Sequence, residues 1–118
     1  MIAYSGEKDG AMHDAVTAIA ACSVSPIVRI AANEAWMVKR ALDSGAHGIM
    51  VPLLNTAEDA RRLVSSAKFP PLGTRGFGSP FAQMSWPGIK SIIEYLQQAN
   101  DALLTIVQIE TKGERQLW

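Results

Sequence analysis

One cysteine, Cys22, leaves no partner for an internal disulfide. No run is long and apolar enough to span a bilayer. Met1–Gly10 lacks the apolar centre of a secretory signal. Together these absences point to a reducing, cytoplasmic setting. Charge of one sign is also lacking: Lys plus Arg and Asp plus Glu are both 11, so the formal net charge is zero. Nothing basic points to nucleic acid or to a membrane surface. The two histidines, His13 and His47, have no second His or Cys at ligand spacing, which excludes zinc. No glycine-rich phosphate loop follows a strand, and no serine sits in a nucleophile elbow. Trp36, Trp86 and Trp118 are scattered, and read as core or interface packing. Cys22 has no charged neighbour to activate it and reads as a buried structural thiol.

What is present is a globular composition, 48% hydrophobic and 19% charged over 118 residues, the size of one domain. Met1–Gly10 is polar and patternless and reads as a lead-in. Met12, Ala15, Val16, Ile19 and Ala20 recur at helical spacing and predict a helix over 11–21. Ile27–Ile30 reads as a short strand. Asn33 is the expected N-cap of a helix to about Ser44, with Gly45 as its left-handed C-cap. Gly48–Leu54 reads as a strand. Thr56 and Asp59 form a capping box for a helix whose expected stripe is Ala57, Ala60, Leu63, Val64 and Ala67. Residues 68–87 hold four prolines and three glycines and read as a long functional loop. A helix over 88–100 follows, with Ile89, Ile92, Ile93, Leu96 and Ala99 on one face. Leu103–Glu110 then reads as a central strand buried on both faces. Strands alternating with helices imply a parallel sheet with right-handed crossovers.

Four residues stand out as carriers of chemistry. Glu110 ends its strand where α/β folds gather their chemistry, as a metal ligand, a general base or a solvated acid. Gln108 shares its side of the strand at period two. Arg29 interrupts an apolar strand. It binds an anion, faces water from an edge strand, or makes a structural ion pair. Asp43 opposes the dipole in the last turn of its helix, and is either exposed or placed to orient a histidine. Arg75, between Gly73 and Gly76, favours a solvated loop arginine over a phosphate or carboxylate grip.

Seven stretches follow in order. They are Pro26-Ile-Val-Arg-Ile30, Asn33-Glu34, Lys39-Arg-Ala-Leu-Asp-Ser-Gly45, Gly48-Ile-Met-Val-Pro52, Asn55-Thr56, Pro70-Pro-Leu-Gly-Thr-Arg-Gly76 and Val107-Gln-Ile-Glu110. As an ordered set they resemble the HpcH/HpaI aldolase/citrate lyase family of metal-dependent pyruvate aldolases. The resemblance implies an α/β fold, part of a TIM (β/α)8 barrel. About three consecutive parallel strands with their helices occupy residues 11–113, with 114–118 as an atypical tail. It further implies reversible, divalent-metal-dependent aldol cleavage of a small 2-oxo acid to pyruvate and an aldehyde. Glu110 then matches a metal ligand for Mg²⁺ or Mn²⁺, Gln108 a substrate contact and Arg29 the arginine that stabilises the enolate. Asp43 matches the acid that raises the basicity of the catalytic histidine, across a subunit interface if the chain forms a homo-oligomer.

The family's Glu-His-Gly motif before the first helix is replaced here by Ser5-Gly-Glu-Lys-Asp-Gly10, and His13 does not match its histidine. The second metal-ligating aspartate has no counterpart before Trp118, and a full barrel takes about 250 residues. The expectation is a truncated member with negligible activity on its own. Two alternatives remain: a non-catalytic remnant that self-associates or binds a full-length relative, and an acyl-CoA lyase like the citrate lyase β subunit.

Overall fold

The computed structural model describes residues 2–4 and 9–112. Four parallel strands, β1 (Ile2–Tyr4), β2 (Ile27–Arg29), β3 (Gly48–Val51) and β4 (Leu104–Val107), lie side by side in the order 1-2-3-4. Parallel neighbours cannot be joined by a tight turn, so each connection crosses back through helix. These crossovers are α1 (Asp9–Ala21), α2 (Ala35–Asp43), and α3 (Ala57–Ala67) followed by α4 (Ile92–Ala102). Each new strand joins the same edge. That is the singly wound order of a (β/α)8 barrel, with no reversal of the kind found in doubly wound sheets.

The strand β1 corrects the expectation of three strands and a patternless lead-in. Three residues are too few to show a period, and their order comes from pairing with β2 at Ile2–Ile27 and Tyr4–Arg29. Helix α1 accordingly starts at Asp9, two residues before the sequence pattern predicts. The atypical tail, residues 114–118, lies outside the described residues.

The sheet buries one face. Val28, Ile30, Ile49 and Val51 are fully buried in one core with Val16, Val38, Leu42 and Leu63 from the helices. Each such side chain contributes about 1.5–3 kcal/mol by leaving water. Arg29 and Met50 alternate to the other, half-exposed face. The strand β4 is not central and doubly buried as expected: it pairs with β3 alone among the described residues, and Leu104 is 53% exposed.

Local signals hold with shifts. Gly45 takes φ +98 after α2, as the C-cap reading requires. The N-cap of α2 is Glu34 and makes no side-chain bond, whereas Asn33 Nδ2 donates to the Asp59 carbonyl and ties α2 to α3. Strand β3 stops at Val51, because Pro52 has no N–H for the ladder and Leu53 turns to φ +55. Ser91 caps α4 by accepting from Glu94 N at 3.2 Å, so that helix begins later than expected. Val64 and Ile93, both assigned to buried stripes, are exposed, and Ser66 and Tyr95 take the inward positions. Cys22 is exposed rather than buried. It sits in the turn that ends α1, beside Ser23 at φ +59.

The Thr56–Asp59 capping box forms as read. Its hydrogen bonds, first that with the Thr56 side chain, hold the Asp59 carboxyl below its ordinary range. A depressed pKa stabilises the fold above the unfolded value and loses that contribution as pH falls through the folded one.

Residues 68–91 are not a bare loop. They pass through a one-turn 3-10 helix at Ala82–Ser85 and cover a second small core of Phe69, Ala82, Tyr95 and Ala99. Arg75 anchors them and is 3% exposed, against the reading of a solvated loop arginine. Its Nη2 donates to Asp43 Oδ1 and its Nη1 to Tyr95 Oη, each at 3.0 Å, and its guanidinium lies over the Phe69 ring at 4.4 Å. Lys39 Nζ donates to Asp43 Oδ2 and to the Gly76 carbonyl. Ser79 Oγ donates to the Asp43 carbonyl. Burial pushes the Tyr95 phenol above its ordinary value, and the nearby Arg75 cation opposes that rise. Gly73 fits because any Cβ there would strike the carbonyls of Lys68 and Ser65.

Three variants are expected to differ in urea unfolding. Thr56→Ala lowers stability by about 1 kcal/mol through loss of the cap. Asp43→Ala leaves the buried Arg75 charge without its carboxylate and costs about 3 kcal/mol. Lys39→Met, at the half-exposed side of the same carboxylate, costs under about 1 kcal/mol. Equal losses for Asp43→Ala and Lys39→Met would contradict the assignment of Arg75 as the buried partner.

Candidate functional site at the strand ends

The parallel register brings Arg29 and Gln108 to the same end of the sheet. Arg29 closes β2 and pairs with Met50, which pairs in turn with Ile106. Gln108 follows the last residue of β4, and its N–H still donates to the Val51 carbonyl at 2.9 Å. Its side chain then crosses the end of β3, and Oε1 accepts from Arg29 Nε at 2.8 Å. Both side chains are half-buried. Arg29 thus has a polar side-chain partner 79 residues away in sequence.

Glu110 lies three residues beyond β4 and is exposed, on the same C-terminal side of the strands. Among the described residues, no group of three or more His, Cys, Asp or Glu could hold a metal ion. Hard divalent cations need several fixed oxygen ligands. The described residues therefore do not make a complete site for such an ion.

Asp43 is not brought to this end. It closes α2, on the side from which β3 starts, and both of its oxygens are engaged within the chain by Arg75 and Lys39. His47 is also on that side. It immediately precedes β3, is 9% exposed, donates from Nε2 to the Ser85 carbonyl at 2.8 Å and stacks on Trp86 at 4.0 Å. His13 is exposed and lines a cavity of about 510 Å³ with Ser44, Phe81 and Trp86. That cavity contains none of Arg29, Gln108 or Glu110.

Sequence reasoning missed the Arg75–Tyr95–Asp43 cluster and the His47–Trp86 stack. Their partners lie 20 to 39 residues apart, and neither helical nor strand periodicity reports on such pairs. The one local signal was Tyr95, an amphipathic ring next to an apolar helix face.

An arginine bonded to an amide at the strand ends, with a carboxylate just beyond β4, suits recognition of a small, planar, anionic compound. The family model for HpcH/HpaI aldolase/citrate lyase matches residues 7–113. A 2-dehydro-3,6-dideoxy-6-sulfogluconate aldolase of Pseudomonas putida is 46% identical over 97 residues, covering 80% of this chain and 36% of that protein. A hydroxypyruvate/pyruvate aldolase of Agrobacterium fabrum is 38% identical over 100 residues, covering 85% of this chain and 37% of its own length. The chain thus spans little more than a third of these relatives. The crystal structure of an HpcH/HpaI aldolase from Desulfitobacterium hafniense superposes with a TM-score of 0.81 at 32% identity, covering 95% of this chain and 44% of that one. The four-stranded sheet and its helices are part of the TIM barrel of such proteins, and the chain belongs to the HpcH/HpaI aldolase/citrate lyase family.

Proposed function

We propose that the strand ends carrying Arg29, Gln108 and Glu110 bind a small 2-oxo acid. The chain then carries part of the site of an aldolase that reversibly cleaves a hydroxy-2-oxo acid to pyruvate and an aldehyde. The observation that carries the reading is the Arg29 Nε to Gln108 Oε1 hydrogen bond, which spans β3 and sets a cation at the strand ends. Family membership supplies the reaction class.

In aldol cleavage a base takes the hydroxyl proton, the carbon–carbon bond breaks, and its electron pair passes into the enolate of pyruvate, which is then protonated. A fixed guanidinium stabilises the oxygen on which negative charge grows, and the effect is largest where water is partly excluded. Arg29 is given that task. Gln108 is given a contact to the substrate, and Glu110 one ligand position for a divalent cation, Mg²⁺ or Mn²⁺, in the assembled site. Such a cation, when bound, polarises the 2-oxo group. His13 and His47 lie instead beside Ser44, Ser85 and Trp86, so the proton-accepting base is not assigned to one of them. Asp43, held by Arg75 and Lys39, serves this reaction only if it meets a histidine across an interface between copies.

Two measurements test the reading. Pyruvate added to the ¹⁵N-labelled chain should shift the Arg29 side-chain and Gln108 amide signals, and Arg29→Ala should weaken binding at least about tenfold, as expected for loss of one charge-assisted hydrogen bond. Shifts confined to the His13–Phe81 cavity would sink it. In a coupled assay with Mg²⁺ or Mn²⁺, the 118-residue chain should release negligible pyruvate from a 4-hydroxy-2-oxo acid. Robust release would show that the described carboxylates suffice for the metal.

A further inference from the structure

We infer that two copies of this chain close into one eight-stranded barrel, with β4 of each copy pairing with β1 of the other. The inference comes from the sheet alone and does not depend on the 2-oxo acid reading.

The four strands run parallel in the order 1-2-3-4, so β1 and β4 are the edges among the described residues. An edge strand carries a row of unpaired N–H and C=O groups that can pair with another chain. On β4 that row has named members. The N–H of Leu104 donates to the His47 carbonyl and that of Gln108 to the Val51 carbonyl. Along a strand, successive N–H groups point to opposite sides. Thr105 and Val107 therefore turn their N–H groups away from β3, along the edge.

One face of the sheet is apolar and uncovered among the described residues. Val28, Ile49 and Val51 turn toward the helices, and Val107 packs against the same core. Ile27, Met50, Leu104 and Ile106 alternate with them and turn to the other face. A Cβ at Gly48 would meet Leu104 Cβ at 2.9 Å and Ile27 Cδ1 at 3.0 Å, so these two side chains flank β3 on one side. Leu104 is 53% exposed, and Ile27, Met50 and Ile106 are half-buried. In a closed barrel such side chains meet those of the opposite strands and fill the interior.

A second copy fits that place by number, direction and curvature. Four strands are half of the eight that close a barrel of this kind. The chain superposes on a family member with a TM-score of 0.81, so its sheet already has the bend of such a barrel. A half-turn about the barrel axis sets the second sheet opposite the first, with every strand parallel. Each β4 then lies against the β1 of the other copy, and both edges are paired at once. The apolar faces meet inside. Arg29 closes β2 and so stands at the rim, beside water.

The test uses the 118-residue chain in sedimentation equilibrium and amide hydrogen exchange. It should sediment at twice its 12.7 kDa. The Thr105 and Val107 amides should exchange at least about tenfold more slowly in the dimer than in the monomer reached by dilution. Leu104→Lys puts a charge on the exposed inner face, where a single chain tolerates it and a closed barrel does not. It should raise the dissociation constant at least about tenfold while circular dichroism shows unchanged helix and strand. Thr105→Pro removes an N–H that β3 does not use, and should weaken the dimer likewise. Trp36→Lys, on an exposed helix face away from the sheet, should leave it intact. A chain that stays at 12.7 kDa at submillimolar concentration overturns the inference. So does a dimer in which Thr105 and Val107 exchange as fast as in the monomer. Assembly that grows without limit is edge pairing without closure, and overturns it as well. A dimer broken by Trp36→Lys and not by Leu104→Lys puts the interface on the helices and has the same consequence.

Discussion

A parallel ladder makes the chain return to the same end of the sheet before every new strand, and this one requirement arranges the whole molecule. It places α1, α2 and α3 against one face, where their apolar stripes meet Val28, Ile30, Ile49 and Val51, while α4 lends Tyr95 and Ala99 to the second core. It also sorts the connections into two kinds. Those that leave strands gather at one end, with Arg29, Gln108 and Glu110. Those that enter strands gather at the other, with Asp43, His47 and the segment 68–91 folded beside them.

The two ends hold charge in different ways. Near the start of β3, Arg75 is almost wholly withdrawn from water, and a charge in that position must be matched. Asp43, Tyr95 and the ring of Phe69 do so, and in doing so they pin a loop rich in proline and glycine onto the end of α2 and the flank of α4. At the strand ends, Arg29 is only half-buried and is matched by a neutral amide.

This contrast also bears on the residues carried over by family resemblance. Arg29, Gln108 and Glu110 share one end of the sheet, which is where a TIM-barrel family works. Asp43 does not join them within the chain. A site built from both ends of the strands needs two copies, or residues beyond those described, and the engagement of Asp43 by Arg75 and Lys39 sets the surface such a contact would meet.

Much of this was legible in the residues themselves. The αβ alternation, the Thr56–Asp59 box, the Gly45 cap and the helical spacing of α1 and α3 are local patterns, because backbone hydrogen bonds and caps act within four residues. The ordered stretches from Pro26 to Glu110 likewise carried the family. Tertiary structure alone decided the rest. The sequence of Ile2–Tyr4 is too short to announce a strand, and only β2 makes it one. The apolar run of Leu104–Val107 suits a central strand, but its burial depends on how many neighbours it has, and here it has β3. Arg75 reads as a solvated loop residue until Asp43 and Tyr95, 32 and 20 residues away, come together around it. Arg29 had three open readings, and the amide that the fold sets beside it sits 79 residues further along. Short-range periodicity determines which elements form. Which charge meets which partner is a property of the folded register, and no spacing within one element encodes it.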